Sequence, residues 1–273
     1  MKEFYLKEEI YHRINEFKKD RLTLVFIHGL TGSSSAWIPY EKIFEDKYNI
    51  LTYDIRGHGK SKKYPRYEDY EIKKFAEDLH SLILHLNISK FILISHSFGT
   101  LIAAEYLKLH PEKVLANIFL SPIFGSEKGL TAKILRLILK PAKIFNLLSF
   151  NPKPGRHIDY SNFLNTTDWD IKRFYADIPN TTLRVHSYCL KQSLIPQQEY
   201  FPGKFNIPIL TVHGTKDTLA KAENSVIFSR KIKNCELVLI QNANHFFMLN
   251  DIKGTSSILE SFIEKNKKDL PFS

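Results

Sequence analysis

The chain has 273 residues, of which 43% are hydrophobic and 13% aromatic, enough to bury the core of a full domain, and this composition excludes disordered and fibrous proteins. The formal net charge is +10, but lysine is frequent throughout and no nucleic-acid-binding motif accompanies it, so we predict no nucleic-acid partner. The two cysteines, Cys189 and Cys235, stand far apart and in neither metal-binding nor redox spacing. We therefore expect free thiols in a reducing compartment, with neither a metal nor a cofactor bound.

The amino-terminal residues 1–9 include five charged side chains, too many for a signal peptide. No apolar run approaches the roughly 20 residues needed to cross a bilayer. We therefore predict a soluble, cytoplasmic protein.

From residue 9 onwards, short apolar runs alternate with helical patterns, which is typical of an α/β protein whose mostly parallel sheet is flanked by helices. The predicted strands cover residues 9–15, 22–27, 50–54, 91–94, 114–120, 209–212 and 237–240. The predicted helices cover residues 36–46, 70–86, 98–109, 220–231 and 256–265.

This alternation stops between residues 123 and 205. No strand pattern occurs there, and helix-like stretches are interrupted by Pro141, Pro152, Pro154, Gly155, Pro179 and Pro196. We interpret the stretch as a helical insertion on the sheet. The chain then divides into the first part of a core, residues 1–122, an inserted helical cap, residues 123–205, and the second part of the core, residues 206–273.

The most informative turn follows the apolar run 91–94, where Ser95-His96-Ser97-Phe98-Gly99 leads into a helical pattern. A sharp strand-to-helix turn has no room for large side chains two residues either side of its central serine, and it lifts the serine hydroxyl to the end of the sheet. Gly99 satisfies this limit, and Ser95, where glycine is usual, is small enough to fit with some strain. The pattern predicts a nucleophilic Ser97, although an ordinary strand-loop-helix junction can show it too.

A serine nucleophile needs a base, and the base needs an acid that orients it. Asp217 and His245 each follow a predicted strand, so both side chains reach the sheet edge that carries Ser97. The turn after the strand at 114–120 contains no carboxylate before Glu127, which favours Asp217 as the acid. The order serine, aspartate, histidine is the one expected of the α/β-hydrolase fold.

Other carboxylates fit this role less well. Asp251 lies beyond His245 and is more typical of a helix start. The insertion contains three further acids to which we assign no catalytic role: Asp168, Asp170 and Asp177. A plain surface turn at Asp217 and a packing role for His245 are the remaining alternatives.

Backbone amides are the expected donors to the charge that develops on a substrate oxygen during acyl transfer. One is the amide of Phe98, directly after the serine. The other is the amide of Leu30, in the glycine-bearing turn after the strand at 22–27. In the same turn, His28 more often braces the loop than acts in catalysis.

Several motifs together resemble those of the α/β-hydrolase superfamily: His28-Gly29, the sequence DIRGHGKS at 54–61, the turn from Ser95 to Gly99, Asp217 and His245. They span nearly the whole core and are most similar to the branch of capped serine esterases, monoacylglycerol-lipase-like proteins, lactonases and carbon–carbon bond hydrolases. The resemblance implies the α/β-hydrolase fold, with a helical cap inserted after the sixth strand. It also implies a structural role for residues 54–61, in which arginine and histidine tie the loop and glycines permit its turns.

The resemblance implies a hydrolase of carboxylic esters, with small to medium acyl or monoacylglycerol-like substrates, that forms an acyl-enzyme on Ser97. Epoxide hydrolases and haloalkane dehalogenases of the superfamily use an aspartate nucleophile, so Ser97 argues against both. Because the base must be a neutral imidazole, activity should fall as the pH drops through about 6 to 7.

Two other functions stay open at this point. One is a carbon–carbon bond or enol-lactone hydrolase, which would use the same triad but would need cap groups that hold a carboxylate, such as Arg156, Arg173 or Arg184. The other is a non-catalytic ligand-binding protein with the same fold.

The cap is strongly basic. No acidic residue occurs between Glu127 and Asp159, whereas that stretch contains Lys128, Lys133, Arg136, Lys140, Lys143, Lys153 and Arg156. One interpretation is a lid that makes weak contact with anionic membrane surfaces. The other, which we favour, has the apolar positions roofing a pocket while the lysines face solvent.

Overall fold

A computed structural model describes residues 1–123, 133–134, 137–153, 155–195 and 206–267, which form an eight-stranded sheet flanked by helices. The strands are β1 (Lys2–Leu6), β2 (Ile10–Ile14), β3 (Thr23–Ile27), β4 (Asn49–Tyr53), β5 (Phe91–His96), β6 (Val114–Leu120), β7 (Ile209–Gly214) and β8 (Cys235–Ile240). Their order across the sheet is β1-β2-β4-β3-β5-β6-β7-β8. The β1–β2 and β2–β4 pairs are antiparallel and all others parallel, which confirms the predicted α/β fold.

The helices are α1 (Ile38–Phe44), α2 (Ile72–His85), α3 (Gly99–Leu109), α4 (Ile171–Ser193), α5 (Ala222–Lys231), α6 (Phe247–Asn250) and α7 (Ile252–Lys267). Short 3-10 helices occur at Ser34–Trp37, Tyr67–Tyr70, Pro111–Lys113, Lys140–Leu147 and Tyr160–Phe163. Over the ranges given above, no helix has the length and apolar character needed to cross a membrane.

The central strands are buried on both faces, which is why they appear in the sequence as continuous apolar runs. In β3, Leu24 and Phe26 pack into the core on one face of the sheet, whereas Val25 and Ile27 pack into the core on the other. All four side chains are fully buried. Each such side chain contributes about 1.5–3 kcal/mol by leaving water, so the two cores hold the sheet as a rigid support for the loops at its carboxyl edge.

The sheet differs from the predicted one at its edges. Nothing in the sequence pattern predicts β1, because four of its five side chains are exposed and show no alternation. Main-chain pairing with β2 holds it in place. At the other end of the chain, the helix predicted at 256–265 begins earlier, at Ile252. The Gly254 amide donates to Oδ1 of Asp251 at 2.9 Å, so the prediction that Asp251 starts a helix is confirmed.

The insert joins β6 to β7, as predicted, and its main helix is α4. Thr182 breaks this helix with a φ of 72° and a ψ of 152°, shortly after Pro179. The rings of Phe174 and His186 lie 6.0 Å apart, although a straight helix would separate them by about 18 Å. The two halves of α4 therefore fold back on each other. Pro154, Pro196 and the predicted end of the cap at Phe205 lie outside the described residues.

A buried ion pair ties β2 to α1. Nη2 of Arg13 donates to Oε1 of Glu41 at 2.5 Å, and the Thr52 hydroxyl donates to the same oxygen at 2.6 Å. The arginine side chain is 7% exposed and the glutamate side chain 4%. Because an unpaired charge is costly in such a place, each member of the pair depends on the other.

Replacing Glu41 by alanine should lower the free energy of unfolding by about 3–5 kcal/mol, because the Arg13 charge stays buried without its partner. The matched control is Glu260→Ala, which removes the partner of Lys47 on the surface, where such a pair contributes about 0–1 kcal/mol. Urea unfolding of both variants at neutral pH measures the difference. Equal losses in the two variants would contradict this expectation.

Candidate active site

Ser97 lies in the turn between β5 and α3, where the sequence predicts it. Its backbone is in the left-handed region, with a φ of 50°, and its amide donates to the Leu120 carbonyl at 3.0 Å. A Cβ on Gly99 would lie 2.7 Å from the carbonyl oxygen of His28, so this turn requires glycine there. Strained non-glycine residues of this kind are concentrated at functional sites.

Ser95, at the position where glycine is usual, fits the turn. Its side chain is fully buried, and its hydroxyl donates a long hydrogen bond, 3.4 Å, to the Ile118 carbonyl. It keeps the parallel pairing of β5 with β3, opposite Ile27. Of the two serines, Ser97 has a positive φ and Ser95 does not, so the backbone strain falls on the central residue.

The structure brings Ser97, His245 and Asp217 together. Nε2 of His245 lies 2.7 Å from Oγ of Ser97, and Nδ1 of His245 lies 2.7 Å from Oδ2 of Asp217. The three residues follow β5, β8 and β7, whose carboxyl ends meet at one edge of the sheet. Because Nδ1 donates its proton to the carboxylate, Nε2 is the nitrogen that accepts the serine hydroxyl proton.

Asp217 is held as a carboxylate. Burial alone would raise its pKa, but hydrogen bonds from His213 and His245 outweigh burial and keep the pKa well below its ordinary value. The second oxygen, Oδ1, accepts from the amides of Leu219 and Ala220 at 2.9 and 2.8 Å. A carboxylate with these donors stays ionised and holds the His245 ring in one tautomer and one orientation.

His213 is a part of the site that the sequence analysis does not single out. Its Nε2 lies 3.0 Å from Oδ2 of Asp217 and 3.0 Å from the Ala220 carbonyl, so this nitrogen carries the proton. Nδ1 then accepts from the Ser225 hydroxyl at 2.7 Å. The sequence feature that could have identified His213 is its position in β7, four residues before Asp217.

Two further residues, His96 and Ser121, hydrogen-bond to the main chain of His245. The ring of His96 and the hydroxyl of Ser121 both donate to the His245 carbonyl, at 3.0 and 2.9 Å. Burial lowers the pKa of His96 to about 3, so its ring is a neutral donor. Two donors on one carbonyl fix the backbone that carries the His245 ring.

The loops that carry Leu30 and Phe98 meet beside Ser97. A Cβ on Gly29 would lie 3.1 Å from the Cβ of Ser97, so the turn after β3 passes directly next to the serine. Among the described residues, the amides of Leu30 and Phe98 donate to no other group. Both N–H groups are therefore free to bind an oxygen of a substrate.

His28 braces this turn. Its Nδ1 donates to the Gly29 carbonyl at 2.8 Å, and its Nε2 accepts from the Ile55 amide at 3.1 Å. Burial lowers the pKa of His28, so the ring is neutral. Main-chain groups thus occupy both ring nitrogens, in keeping with the structural role expected from the sequence.

Residues 54–61 are held in place by buried hydrogen bonds of Asp54 and Arg56. Asp54 is fully buried and accepts hydrogen bonds from the amides of Ser34 and Lys60, each at 2.7 Å. Arg56 makes a two-pronged contact with the Asp78 carboxylate at 2.7 and 2.6 Å. Asp54 also accepts from Nε2 of His157 in the insert at 2.8 Å, so this segment links the core to the insert.

A second buried acid lies where the insert meets the turn after β3. The Tyr160 hydroxyl donates to Oδ1 of Asp177 at 2.8 Å and would lie 3.6 Å from a Cβ on Gly32. Burial raises the pKa of Asp177 to about 7, although the Tyr160 hydrogen bond and the Arg173 charge act in the opposite direction. Asp177 is therefore partly protonated near neutral pH.

The arrangement combines a hydroxyl with a base, an ionised acid and two main-chain donors, which together suit nucleophilic attack on a carbonyl carbon. Over the described ranges, no group of three or more histidine, cysteine or acidic side chains could hold a metal ion. The cysteines Cys189 and Cys235 are free thiols.

Residues 23–251 match the model of a protein family described as the alpha/beta hydrolase fold. The chain belongs to the α/β-hydrolase family. This confirms the superfamily that the motifs predict, while the branch of capped serine esterases stays a prediction.

Known relatives of this α/β hydrolase differ in their named activities. A Haemophilus influenzae protein described as an esterase/lipase is 28% identical over 252 residues, which cover 89% of this chain and 83% of that protein. Epoxide hydrolase 1 of Caenorhabditis elegans is 22% identical over 279 residues, covering 95% of this chain and 69% of that protein. Among solved structures, an alpha/beta hydrolase enzyme from a Medee basin deep-sea metagenome library has a TM-score of 0.74 at 19% identity, covering 96% of this chain and 97% of that chain.

Between pH 5 and pH 8, the α/β hydrolase should lose stability relative to its Asp177→Asn variant. The pKa of Asp177 is about 7 in the folded chain, whereas an aspartate in an unfolded chain titrates near about 3.9. From pH 5 to about pH 7 the unfolded state has lost the proton that the folded state still holds, so a rise in pH favours unfolding. The difference levels off above about pH 7, where the folded state has lost the proton as well.

Urea midpoints at several pH values measure this effect. An Asp46→Asn variant, changed at an exposed position, should run parallel to the wild type. A difference between wild type and Asp177→Asn that stays constant with pH would contradict the expectation.

Proposed function

We propose that this α/β hydrolase is a serine hydrolase that cleaves carboxylic esters, with small to medium acyl or monoacylglycerol-like substrates, through an acyl-enzyme on Ser97. The strongest support is the unbroken hydrogen-bond chain from Ser97 through His245 to Asp217, with 2.7 Å at each step. A hydroxyl in this arrangement is activated by the base, and the base is oriented by the acid. Leu30 and Phe98 provide the amides of the oxyanion hole.

In the first half-reaction, Oγ of Ser97 attacks the ester carbonyl carbon while Nε2 of His245 takes the hydroxyl proton. The carbonyl oxygen becomes an oxyanion and accepts hydrogen bonds from the Leu30 and Phe98 amides. His245 then gives its proton to the departing alcohol oxygen, and the acyl group stays on Ser97.

In the second half-reaction, water attacks the acyl carbon and His245 takes a proton from it. The proton returns to Oγ of Ser97 as the carboxylic acid leaves. Asp217 stays ionised throughout, since its pKa is well below the ordinary value, and its charge stabilises the imidazolium that forms twice in each cycle.

The identity of the nucleophile argues against epoxide hydrolysis, despite the relative with that name. The superfamily's epoxide hydrolases use an aspartate as nucleophile. Ser97 instead suits acyl transfer. The relative of highest identity reported above is described as an esterase/lipase, which agrees with this choice.

The carbon–carbon bond or enol-lactone alternative requires a cap arginine that holds a substrate carboxylate. Arg184 donates to three main-chain carbonyl groups, and Arg173 donates to a threonine hydroxyl and a main-chain carbonyl. Arg156 is exposed. The engagement of Arg173 and Arg184 favours ester cleavage, since the alternative would depend on Arg156 alone.

Replacing Ser97 by alanine should abolish labelling by a fluorophosphonate probe and lower the turnover of para-nitrophenyl esters by about 10⁴–10⁶-fold. The matched control is Ser95→Ala in the same turn. That variant loses only the long hydrogen bond to the Ile118 carbonyl, so it should keep the labelling and most of the turnover.

Three outcomes would go against this function. Full esterase activity in Ser97→Ala would show that another residue is the nucleophile. A wild-type protein that is neither labelled nor active on esters of rising acyl length would favour the non-catalytic alternative. Cleavage confined to carboxylate-bearing carbon–carbon or lactone substrates would favour the other hydrolase class.

We also propose that the insert makes weak contact with anionic membrane surfaces. If apolar residues of the insert roofed a pocket, their side chains would be covered. Instead, five of them between residues 134 and 147 are 47% to 83% exposed: Ile134, Leu137, Ile138, Ile144 and Leu147. In the same stretch, Leu139 and Phe145 are half-buried and Ala142 is buried. Exposed lysines accompany them at positions 133, 140 and 153, whereas Lys128, Leu135 and Arg136 lie outside the described residues. Apolar side chains with a basic edge match the chemistry of an anionic lipid surface.

The protein should therefore sediment with phosphatidylglycerol vesicles at low salt, and less at high salt because counterions screen the attraction. It should not sediment with phosphatidylcholine vesicles. Leu147→Asp should weaken the binding, whereas Leu84→Asp, which changes a leucine of α2 that is 56% exposed, should leave it unchanged. Absence of binding to the anionic vesicles, or equal loss in the two variants, would overturn the proposed contact.

A further inference from the structure

Asp168, a residue of the insert, contacts both loops that carry the acid and the base. Its Oδ1 accepts from the His245 amide at 2.8 Å. Its Oδ2 accepts from the amide and the hydroxyl of Thr218, at 2.7 and 2.8 Å. Thr218 directly follows Asp217, so one carboxylate joins the loop after β7 to the loop after β8.

The residue is 8% exposed. A carboxylate in such a place is tolerated because donors replace the water it has lost. Asp168 has three donors, all of them on the two loops. Its position and the positions of the loops are therefore mutually dependent.

Other residues of the insert near Asp168 also contact the loops after β7 and β8. The Thr166 carbonyl accepts from the side-chain amides of Asn244 and Asn250, at 2.6 and 3.0 Å. The Trp169 indole donates to the Thr218 hydroxyl at 3.1 Å. Asn244 directly precedes His245 and Asn250 follows it, so the insert contacts the chain on both sides of the His245 amide.

Arg173 completes the contact from α4. Its guanidinium lies 3.3 Å from the centre of the Phe246 ring and donates to the Thr166 hydroxyl at 2.9 Å and the Asp168 carbonyl at 3.3 Å. Phe246 directly follows His245. The flanks of the base are thus packed against the insert as well as hydrogen-bonded to it.

We propose that Asp168 is a positioning residue for the reaction, which aligns His245 with Asp217 and Ser97 by joining the two loops through their main chains. This inference rests on the proposed function of the same site. The carboxylate bonds to the main-chain amide of His245, whereas the ring nitrogens bond to Asp217 and Ser97, so its effect is on geometry and not on proton transfer itself. A displacement of about 1 Å at a reacting group can lower the rate by about 10²-fold, which sets the scale of the effect.

Asp168→Asn should lower kcat by about 10–100-fold and leave KM nearly unchanged. The asparagine has the same shape but must point an NH₂ group at the donors of one loop, so it can hold only one of the two. The matched control is Asp170→Asn. Among the residues that the structure describes, the Asp170 side chain accepts only from the insert, through the Arg173 amide at 2.9 Å, so this change should leave kcat near the wild-type value.

Two measurements separate positioning from general destabilisation. Thermal unfolding of each variant identifies a temperature at which all are folded, and kcat and KM are measured there. The proton NMR signal of the His245 Nδ1–H should be present in the wild type and in Asp170→Asn, and broadened or shifted in Asp168→Asn. Thr218→Val removes one hydroxyl donor and keeps the amide, so it should show a smaller loss of kcat than Asp168→Asn.

The outcomes are distinguishable from failure of the proposed function. If the wild type is labelled by the fluorophosphonate and Asp168→Asn keeps the wild-type kcat and NMR signal, the positioning role is wrong while the hydrolase function stands. A rise in KM with kcat unchanged would also overturn it, since that result indicates substrate binding. If the wild type itself shows no labelling and no turnover, the proposed function fails, and the inference fails with it.

Discussion

The site depends on one constraint, which is that the Asp217 carboxylate stays ionised in a buried position. Burial opposes the charge, and the pKa of Asp217 is nevertheless well below its ordinary value because four N–H groups point at it. These donors come from β7, from the loop before α5 and from the loop after β8. Losing any donor would leave the charge under-solvated, so the geometry of three segments is determined by a single side chain.

The insert is joined to the core by buried polar contacts as well as by apolar packing. Asp54 accepts from His157, and Asp168 accepts from Thr218 and from the base loop. Apolar contacts tolerate sliding, whereas hydrogen bonds in a low-dielectric interior have preferred distances and directions. The insert therefore has a fixed position at the carboxyl edge of the sheet, next to the residues proposed to carry out the chemistry.

The sequence predicts the parts of this structure that rest on local pattern. Central strands are recognisable because both faces are buried, and Ser97 and Asp217 are recognisable because each follows such a strand. His245 follows β8, an edge strand that is only half-buried but still shows as a short apolar run. The edge strand β1 escapes prediction because main-chain pairing, which leaves no trace in side-chain pattern, holds it. Asp168 escapes for a different reason. Its donors lie 50 and 77 positions further along the chain, and a segment without strand periodicity offers no way to place it beside them.

The proposed role of Asp168 would couple the insert to the alignment of the catalytic base. A cap that only enclosed the substrate would affect affinity, because its contacts would be the same in the ground state and the transition state. A cap that also holds the base loop changes the alignment of His245 whenever it shifts. In the proposed reaction, substrate contacts that hold the insert against the core would then lower the barrier of the chemical step, so part of the binding energy of the substrate would appear in kcat rather than in KM. For this reason, substrate preference and reaction rate would not be independent in such an enzyme. Changes in the insert that suit a new substrate would have to preserve the contacts of Asp168.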